Sequence, residues 1–280
     1  MPSVSADSTD HLDELRAATA SSVPLDELAP HTYASDHAAF EARSDQRGLI
    51  ADWLVDRLAS TRTAPFSVLA VGCGDGALDE VVAGRLLASE TGGCDLRYVG
   101  VEPLAESAEQ FRGRMGRIDN DRLSFATVVA PFAKTSLAET FDVVTFVHSM
   151  YYVPDVAAAA RAACALLRPG GEAIVLSAPR GALNLLAGLL APAIEGHRQW
   201  FGDDVLDALT GSGLDLAVPA PIEAVVDLTD ASDDVLDFTV QARLTPELRS
   251  LVRRYLAAVS LVAGRSEVAH PVDVYVVRAA

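Results

Sequence analysis

Phe66-Ser67-Val68-Leu69-Ala70-Val71 runs directly into Gly72-Cys73-Gly74-Asp75-Gly76, and Ala77-Leu78-Asp79-Glu80-Val81-Val82 follows. An apolar run that ends in three closely spaced glycines and then takes up a helical pattern reads as strand, tight turn and helix. Glycines let the chain turn sharply and let a ligand lie against bare backbone. The N-terminus of the helix behind them offers unpaired N–H groups to a polar ligand. The next apolar run, Arg97–Glu102, ends on an acidic residue about thirty positions after the first.

The same rhythm continues outward. Strands are expected at Phe66–Val71, Arg97–Glu102, Leu123–Val128, Asp142–Val147 and Glu172–Ser177. Helices are expected between them near Ala77–Ser89, Ala105–Arg114 and Val156–Leu167, with Pro169-Gly170-Gly171 as the stop signal of the last. Strands alternating with helices pair in parallel through right-handed crossovers. Beyond Ser177 the pattern predicts a helix in the apolar stretch Ala182–Ile194, another over Asp203–Leu209, and a sixth strand in Leu214–Val218 or Ala224–Leu228. A helix at Pro246–Leu261 and an alternating last strand at Val272–Val277 complete it. Upstream, Phe40, Leu49, Ile50, Trp53, Leu54 and Leu58 recur every three or four residues, so Asp36–Ser60 reads as helical.

The expected fold is therefore α/β, a doubly wound Rossmann-like seven-stranded sheet with an N-terminal helical cap. Residues 1–30, rich in Ser, Asp and Ala, read as a flexible or marginally helical leader. Residues 31–280 read as a single domain: a cap over 31–62, a cofactor-binding core over 63–178, and acceptor-side helices with the last strands over 179–280.

Half of the 280 residues are hydrophobic, enough for one sizeable core, and the formal net charge is −17. Such a charge repels phosphate backbones, and Arg253-Arg254 is an isolated basic pair, so no nucleic-acid partner is expected. The acidity serves solubility, or alternatively draws in a cationic substrate. Cys73, Cys94 and Cys164 form neither a disulfide framework nor a metal motif, which points to a reducing compartment. Met1–Ala20 lacks a basic and an apolar segment, and no apolar stretch is long enough to span a bilayer. A cytoplasmic protein that is not membrane-bound is expected, as a monomer or a homodimer.

The glycine spacing is G-x-G-x-G and not the G-x-G-x-x-G of dinucleotide sites. A carboxylate at Glu102 suits the two ribose hydroxyls of an adenosine ligand. Val71-Gly72-Cys73-Gly74-Asp75-Gly76 followed by Val101-Glu102-Pro103 resembles the first two motifs of the class I S-adenosylmethionine-dependent methyltransferases. Phe141-Asp142 and Leu167-Arg168-Pro169-Gly170-Gly171 extend that likeness. The resemblance spans roughly Phe66 to Ser177. It implies S-adenosylmethionine as cofactor, S-adenosylhomocysteine as product, and Gly72, Gly74, Gly76, Glu102, Pro103, Ser107 and Val147 as cofactor-binding residues. One departure is Ala70, where many members carry an acidic residue near the methionine amino group.

A thinner similarity reaches along most of the chain. Ser35-Asp36-His37 with Phe40, Gly76-Ala77-Leu78-Asp79, Ala105-Glu106, Val147-His148-Ser149-Met150-Tyr151-Tyr152-Val153 with Asp155, and Tyr275-Val276-Val277 resemble the histamine N-methyltransferase family. By position, the resemblance implies Phe40 as an aromatic wall of the acceptor pocket and His148 as a polar acceptor contact. Asp45 or Gln46 stands approximately for the acidic residue that holds the cationic amine. The family's C-terminal asparagine is missing, and His270-Pro271 stands near its place.

Methyl transfer is an in-line displacement that gains mostly from positioning, roughly 7–11 kcal/mol in favourable cases. A weakly basic nitrogen needs no strong base, whereas a hydroxyl or carbon acid does. His148 reads as such a base or a hydrogen-bonding clamp, and alternatively as a satisfied histidine at a strand end. Tyr151 and Tyr152 follow the fourth strand, where aromatic faces stabilise positive charge, though ordinary packing explains one of them equally well. Trp53 reads as core, and Glu41 as a helix carboxylate able to pair with a cation. His37, His197 and His270 lack ligand spacing, so no metal is expected. The candidate catalytic residues are His148 and Tyr152; the candidate acceptor contacts are Phe40, Asp45, His148, Tyr151, Tyr152 and His270. The expected activity is methylation of a small molecule, foremost at the nitrogen of an amine or imidazole compound. O- or C-methylation of a natural-product intermediate in secondary metabolism is the alternative, and a non-catalytic S-adenosylmethionine-binding protein is another.

Overall fold

A computed structural model of the chain describes residues 6–20, 25, 26, 28, 30–61, 65–88, 95–191 and 200–278. Among them lie nine strands: β1 (Phe66–Val71), β2 (Leu96–Val101), β3 (Leu123–Val128), β4 (Phe141–Val147), β5 (Leu167–Ser177), β6 (Asp215–Ala217), β7 (Val225–Asp227), β8 (Glu267–Ala269) and β9 (Asp273–Arg278). The described α-helices are α1 (Ala6–Ala20), α2 (Pro30–Glu41), α3 (Gln46–Thr61), α4 (Ala77–Ala88), α5 (Ala105–Met115), α6 (Val156–Ala165), α7 (Ala182–Leu190), α8 (Gly202–Thr210), α9 (Asp233–Val240) and α10 (Pro246–Ala258). They fall into two compact units. The sheet unit holds the described residues of Gly48–Ser177, Arg198–Ile222 and Asp273–Ala280; the helical unit holds those of Met1–Arg47, Ala178–His197 and Glu223–Val272.

The sheet unit is built on seven strands in the order β3-β2-β1-β4-β5-β9-β6. The first five are parallel, and β9 runs antiparallel to both β5 and β6. Every residue of β1 is buried, as a central strand covered on both faces requires. Leu69, Val99, Phe146, Val175 and Val277 meet in one core with Ala160 of α6. Asp155 caps α6 by accepting from the Ala158 N–H at 2.8 Å. The doubly wound seven-stranded sheet expected from the sequence is present.

Its details depart from the expectation at identifiable places. Pro169-Gly170-Gly171 does not end a helix. The helix stops at Ala165, β5 already begins at Leu167, and the Pro-Gly-Gly lies in a register irregularity of that strand with Gly170 at φ +80°. A Cβ at Gly171 would lie 2.8 Å from the Asp142 carbonyl oxygen, so the close strand approach needs glycine. Of the two candidate sixth strands, Asp215–Ala217 joins the main sheet, while Val225–Asp227 pairs with β8 in a separate two-stranded sheet. The Asp36–Ser60 region is two helices, α2 and α3, broken at residues 42–45, where Ser44 bridges to Val226. Ser89, Cys94 and the end of the Ala182–Ile194 stretch lie outside the described residues.

The helical unit packs Leu12 and Leu15 of α1 with Leu186, Leu236, Val252 and Leu256 in its own core. Thus α1 is an ordered helix with a buried face, within the stretch that reads as a leader. Helix α9, unanticipated by the periodicity, starts at Ser232, whose side chain accepts from the Val235 N–H, and ends at Gln241 with φ +56°. Buried Asp237 of α9 accepts from Arg249 at 3.0 Å and pairs with Arg243 at 3.3 Å. Helix α10 opens on a Thr245 cap with Pro246 in its first turn.

Candidate active site

Strand β1 leads on to β2, whereas its other neighbour β4 leads on to β5, so the winding reverses between β1 and β4. In open α/β sheets the crevice beyond the carboxyl ends of the strands at this reversal takes the ligand. The loop after β1 is Gly72–Gly76, and the loop after β4 begins at His148. The two loops touch. The Ser149 hydroxyl donates to the Val71 carbonyl at 2.6 Å, and a side chain at Gly72, which has φ +68°, would overlap Ser149 Cβ.

Gly72 N–H donates to the Val101 carbonyl at 2.8 Å, tying the loop to the end of β2. Gly74 has φ +57°, and a Cβ there would meet no atom within 4 Å, so its backbone faces open space. Gly76 backs onto Phe111, whose ring lies 2.7 Å from where its Cβ would stand. Glu102 is only 6% exposed. Its Oε2 accepts from the Gly74 N–H at 3.0 Å and its Oε1 from the Leu104 N–H at 3.0 Å. A carboxylate has about four acceptor positions, so this one is held by two donors and keeps capacity for two more.

Asp75 serves the loop itself, accepting from Ala77 N–H at 3.0 Å and pairing with Arg114 at 2.8 Å. Burial pushes the Cys73 thiol far up, with Asp79 and Glu102 adding to it, so the thiol is a protonated filler and not a nucleophile. Pro103 is exposed, Ser107 is half-buried on the first turn of α5, and Val147 is half-buried at the end of β4.

His148 stands in the left-handed region at φ +49°, uncommon for a residue with a side chain. Its N–H donates to the Leu176 carbonyl at 3.0 Å. Its Nδ1 lies 2.9 Å from the Tyr151 hydroxyl, with the rings stacked at 5.9 Å. Tyr152 meets Tyr151 edge-on at 6.3 Å and is 73% exposed, while Met150 is the fully buried member of this turn.

In the helical unit the chain brings Phe40, Asp45, Gln46 and His270 together. The Phe40 ring meets His270 edge-on at 5.4 Å and Phe238 at 5.5 Å. Gln46 donates to the His270 carbonyl at 2.6 Å, and Asp45 accepts from the Val225 N–H at 2.8 Å. The Ser44 hydroxyl donates to the Val225 carbonyl at 2.9 Å and lies 2.9 Å from His270 Nδ1. With its single proton so used, Ser44 is the acceptor for an Nδ1–H of His270. Burial pushes the His270 imidazole down to about 4, against the opposing pull of Asp45 and Glu41. Glu41 itself pairs with Arg47 at 2.5 Å and His37 at 3.3 Å. Trp53 is half-buried, and His197 lies outside the described residues. Sequence reasoning gave Ser149 no role, because its bond to the Val71 carbonyl depends on a chain segment remote from it.

A buried acidic residue held beside an open glycine loop, at the point where the winding reverses, is the arrangement expected of an adenosine-type cofactor. Residues 42–218 match the family described as a methyltransferase domain. The chain belongs to this methyltransferase-domain family. S-adenosylmethionine is its cofactor, and the residues present fit that group: Gly72, Gly74 and Gly76 form the cradle, and Glu102 has acceptor capacity left for the ribose. When bound it supplies an electrophilic methyl group. The ubiquinone biosynthesis O-methyltransferase of Pseudomonas entomophila (strain L48) is 29% identical over 146 residues, covering 52% of this chain and 57% of that protein. A Pseudomonas fluorescens (strain Pf0-1) enzyme of the same name is 27% identical over 147 residues, with the same coverage. The chain thus spans a little over half the length of these relatives. Among solved structures, the YcgJ protein of Bacillus subtilis aligns at TM-score 0.54 with 11% identity, covering 82% of this chain and all but 1% of that one. A Bacillus halodurans C-125 protein aligns at TM-score 0.53 with 15% identity, covering 80% and 95%. These two structures share the fold. Among the described residues no helix is long and apolar enough to cross a membrane.

Proposed function

We propose that the chain transfers a methyl group from S-adenosylmethionine to a nitrogen of a small amine or imidazole compound. The observation that carries this reading is His148, held at φ +49° with its ring braced by Tyr151 at the end of β4. The strained backbone is a feature of functional positions. His148 is proposed to orient the acceptor nitrogen or take its proton, and Tyr152 to offer an aromatic face to positive charge. In the helical unit, Phe40, Asp45 and His270 are the proposed recognition residues, as the resemblance to histamine N-methyltransferases implies. Their meeting in one cluster supports that likeness, since Ser44 and His270 are 226 positions apart. A neutral His270 suits recognition of an N–H donor.

A second reading is O-methylation, favoured by the ubiquinone biosynthesis O-methyltransferases among the relatives; His148 is then the base that the hydroxyl requires. Calorimetric titration with S-adenosylhomocysteine, followed by a homocysteine-release assay on amines, imidazoles, phenols and carboxylic acids, tests both. Turnover on nitrogen is the expected result. Turnover only on oxygen or carbon replaces the first reading, and absence of cofactor binding removes both.

A further inference from the structure

The backbone around His148 is pinned from several directions. The His148 N–H donates to the Leu176 carbonyl of β5 at 3.0 Å, and the Ser149 hydroxyl donates to the Val71 carbonyl of β1 at 2.6 Å. Met150 is fully buried, and the Trp200 indole N–H donates to the Val153 carbonyl at 3.0 Å. The left-handed turn at φ +49° is thus fixed, and what remains to be set is the imidazole ring. Tyr151, in the short helical turn Met150–Tyr152, places its hydroxyl 2.9 Å from His148 Nδ1, with the two rings 24° from parallel. Which partner donates follows from acidity. A phenol gives up its proton at about 10, whereas a neutral imidazole N–H holds its proton far more tightly. An imidazole lone pair is also a much stronger base than a phenol oxygen. The stronger donor meets the stronger acceptor when the hydroxyl donates to Nδ1. A histidine nitrogen that accepts a hydrogen bond carries no proton, so the one proton of the neutral ring then sits on Nε2.

We propose that Tyr151 is a positioning residue whose hydroxyl donates to His148 Nδ1 and holds the neutral imidazole as its Nε2–H tautomer. Tyr151 then acts through His148, whereas the family resemblance makes it a contact of the substrate itself. With Nδ1 occupied, a substrate meets His148 through Nε2, which offers a donor and no lone pair. His148 in this form orients a substrate atom that accepts a hydrogen bond, and it does not abstract a proton. A hydroxyl substrate finds no base in such a ring. This deepens the proposed function by choosing between the two roles given there to His148, and it rests on that reading for the part His148 plays in methyl transfer.

The test is a two-bond proton–nitrogen correlation spectrum of the full isotope-labelled chain, recorded at about pH 8, above the ordinary imidazole value of about 6.5. The His148 ring is identified by the signals lost in His148→Gln. An unprotonated Nδ1 and a protonated Nε2 are expected in the native chain. In Tyr151→Phe both resonances are expected to move towards the average of a ring exchanging between tautomers, while the other histidine signals stay in place. A protonated Nδ1 in the native chain overturns the proposal and needs no folded variant. Unmoved His148 signals in Tyr151→Phe overturn it as well. The expected spectra combined with full methyl transfer in His148→Ala sink the proposed role of His148 and leave the Tyr151 contact standing.

Discussion

The Glu102 carboxylate accepts a hydrogen bond from the Gly74 N–H at 3.0 Å, joining the end of the second strand to the middle of the glycine loop. With the Leu104 N–H on its other oxygen, the side chain is oriented before any ligand arrives. Preorganisation of this kind lowers the ordering cost of binding.

Glu102→Ala removes the acceptor for the cofactor and the brace of the loop. Affinity for S-adenosylhomocysteine is expected to fall by about 1.5–3 kcal/mol, the worth of a hydrogen bond to a charged group. Calorimetry reads this directly, and unchanged affinity disproves the assignment of Glu102 to the ribose.

Gly72→Ala and Gly74→Ala separate two effects. Both place a side chain at positive φ, at about 1–2 kcal/mol. Only Gly72→Ala also drives a Cβ into Ser149, so it is expected to destabilise more. Ser149→Gly in the Gly72→Ala background recovers part of the loss, and a double-mutant cycle in urea measures the coupling. Additive effects would show that the two loops do not press on one another.

His148→Gly relieves the left-handed backbone, whereas His148→Ala keeps the strain and loses the bond to Tyr151. The glycine variant is expected to be the more stable of the two by about 1 kcal/mol. Both are expected to lose most methyl transfer. Full activity in either variant refutes a role for the His148 side chain.

Arg57 grips Glu172 through two hydrogen bonds of 2.6 and 2.5 Å, and Glu172 is buried on β5. Arg57→Ala strands that carboxylate, and the loss approaches the roughly 3–5 kcal/mol of a broken buried pair. Arg112→Ala removes an exposed pair with Glu109 and is expected to cost about 0–1 kcal/mol. Urea denaturation of both variants checks the ranking.

Acid acts on His270. Its folded value of about 4 lies below the ordinary 6.5, so between these values the unfolded chain binds a proton that the folded chain does not. Stability present above pH 6.5 is therefore lost progressively down to about pH 4, by on the order of 3 kcal/mol in total. His270→Gln is expected to flatten this part of the stability profile. The same slope in the variant assigns the loss to other groups.

The central sheet was legible because β1, β2 and β4 are short, largely apolar runs and β9 alternates. β1 and β3 lie where the pattern put them, β2 lies one residue earlier and β9 one later, and β4 begins one residue sooner. The stop signal at Pro169 misled, because Pro and Gly also occur at strand irregularities, and only the neighbouring β4 decides between the two. Helix α9 was missed because all six of its residues from Val235 to Val240 are buried, leaving no alternation to read.

The sequence by itself determined the alternation of strands and helices, the glycine loop and the acidic residue that answers it. These are local features, written in periodicity and in the few residue types that a turn or a strand end admits. Only the tertiary structure decided that Ser149 closes on Gly72, that Phe40 meets His270, and that the Asp36 Oδ2 is buried with no hydrogen-bond partner among the described residues. Those relationships join segments far apart in the chain or turn on burial. Both depend on how the chain returns on itself, and no local pattern records that path.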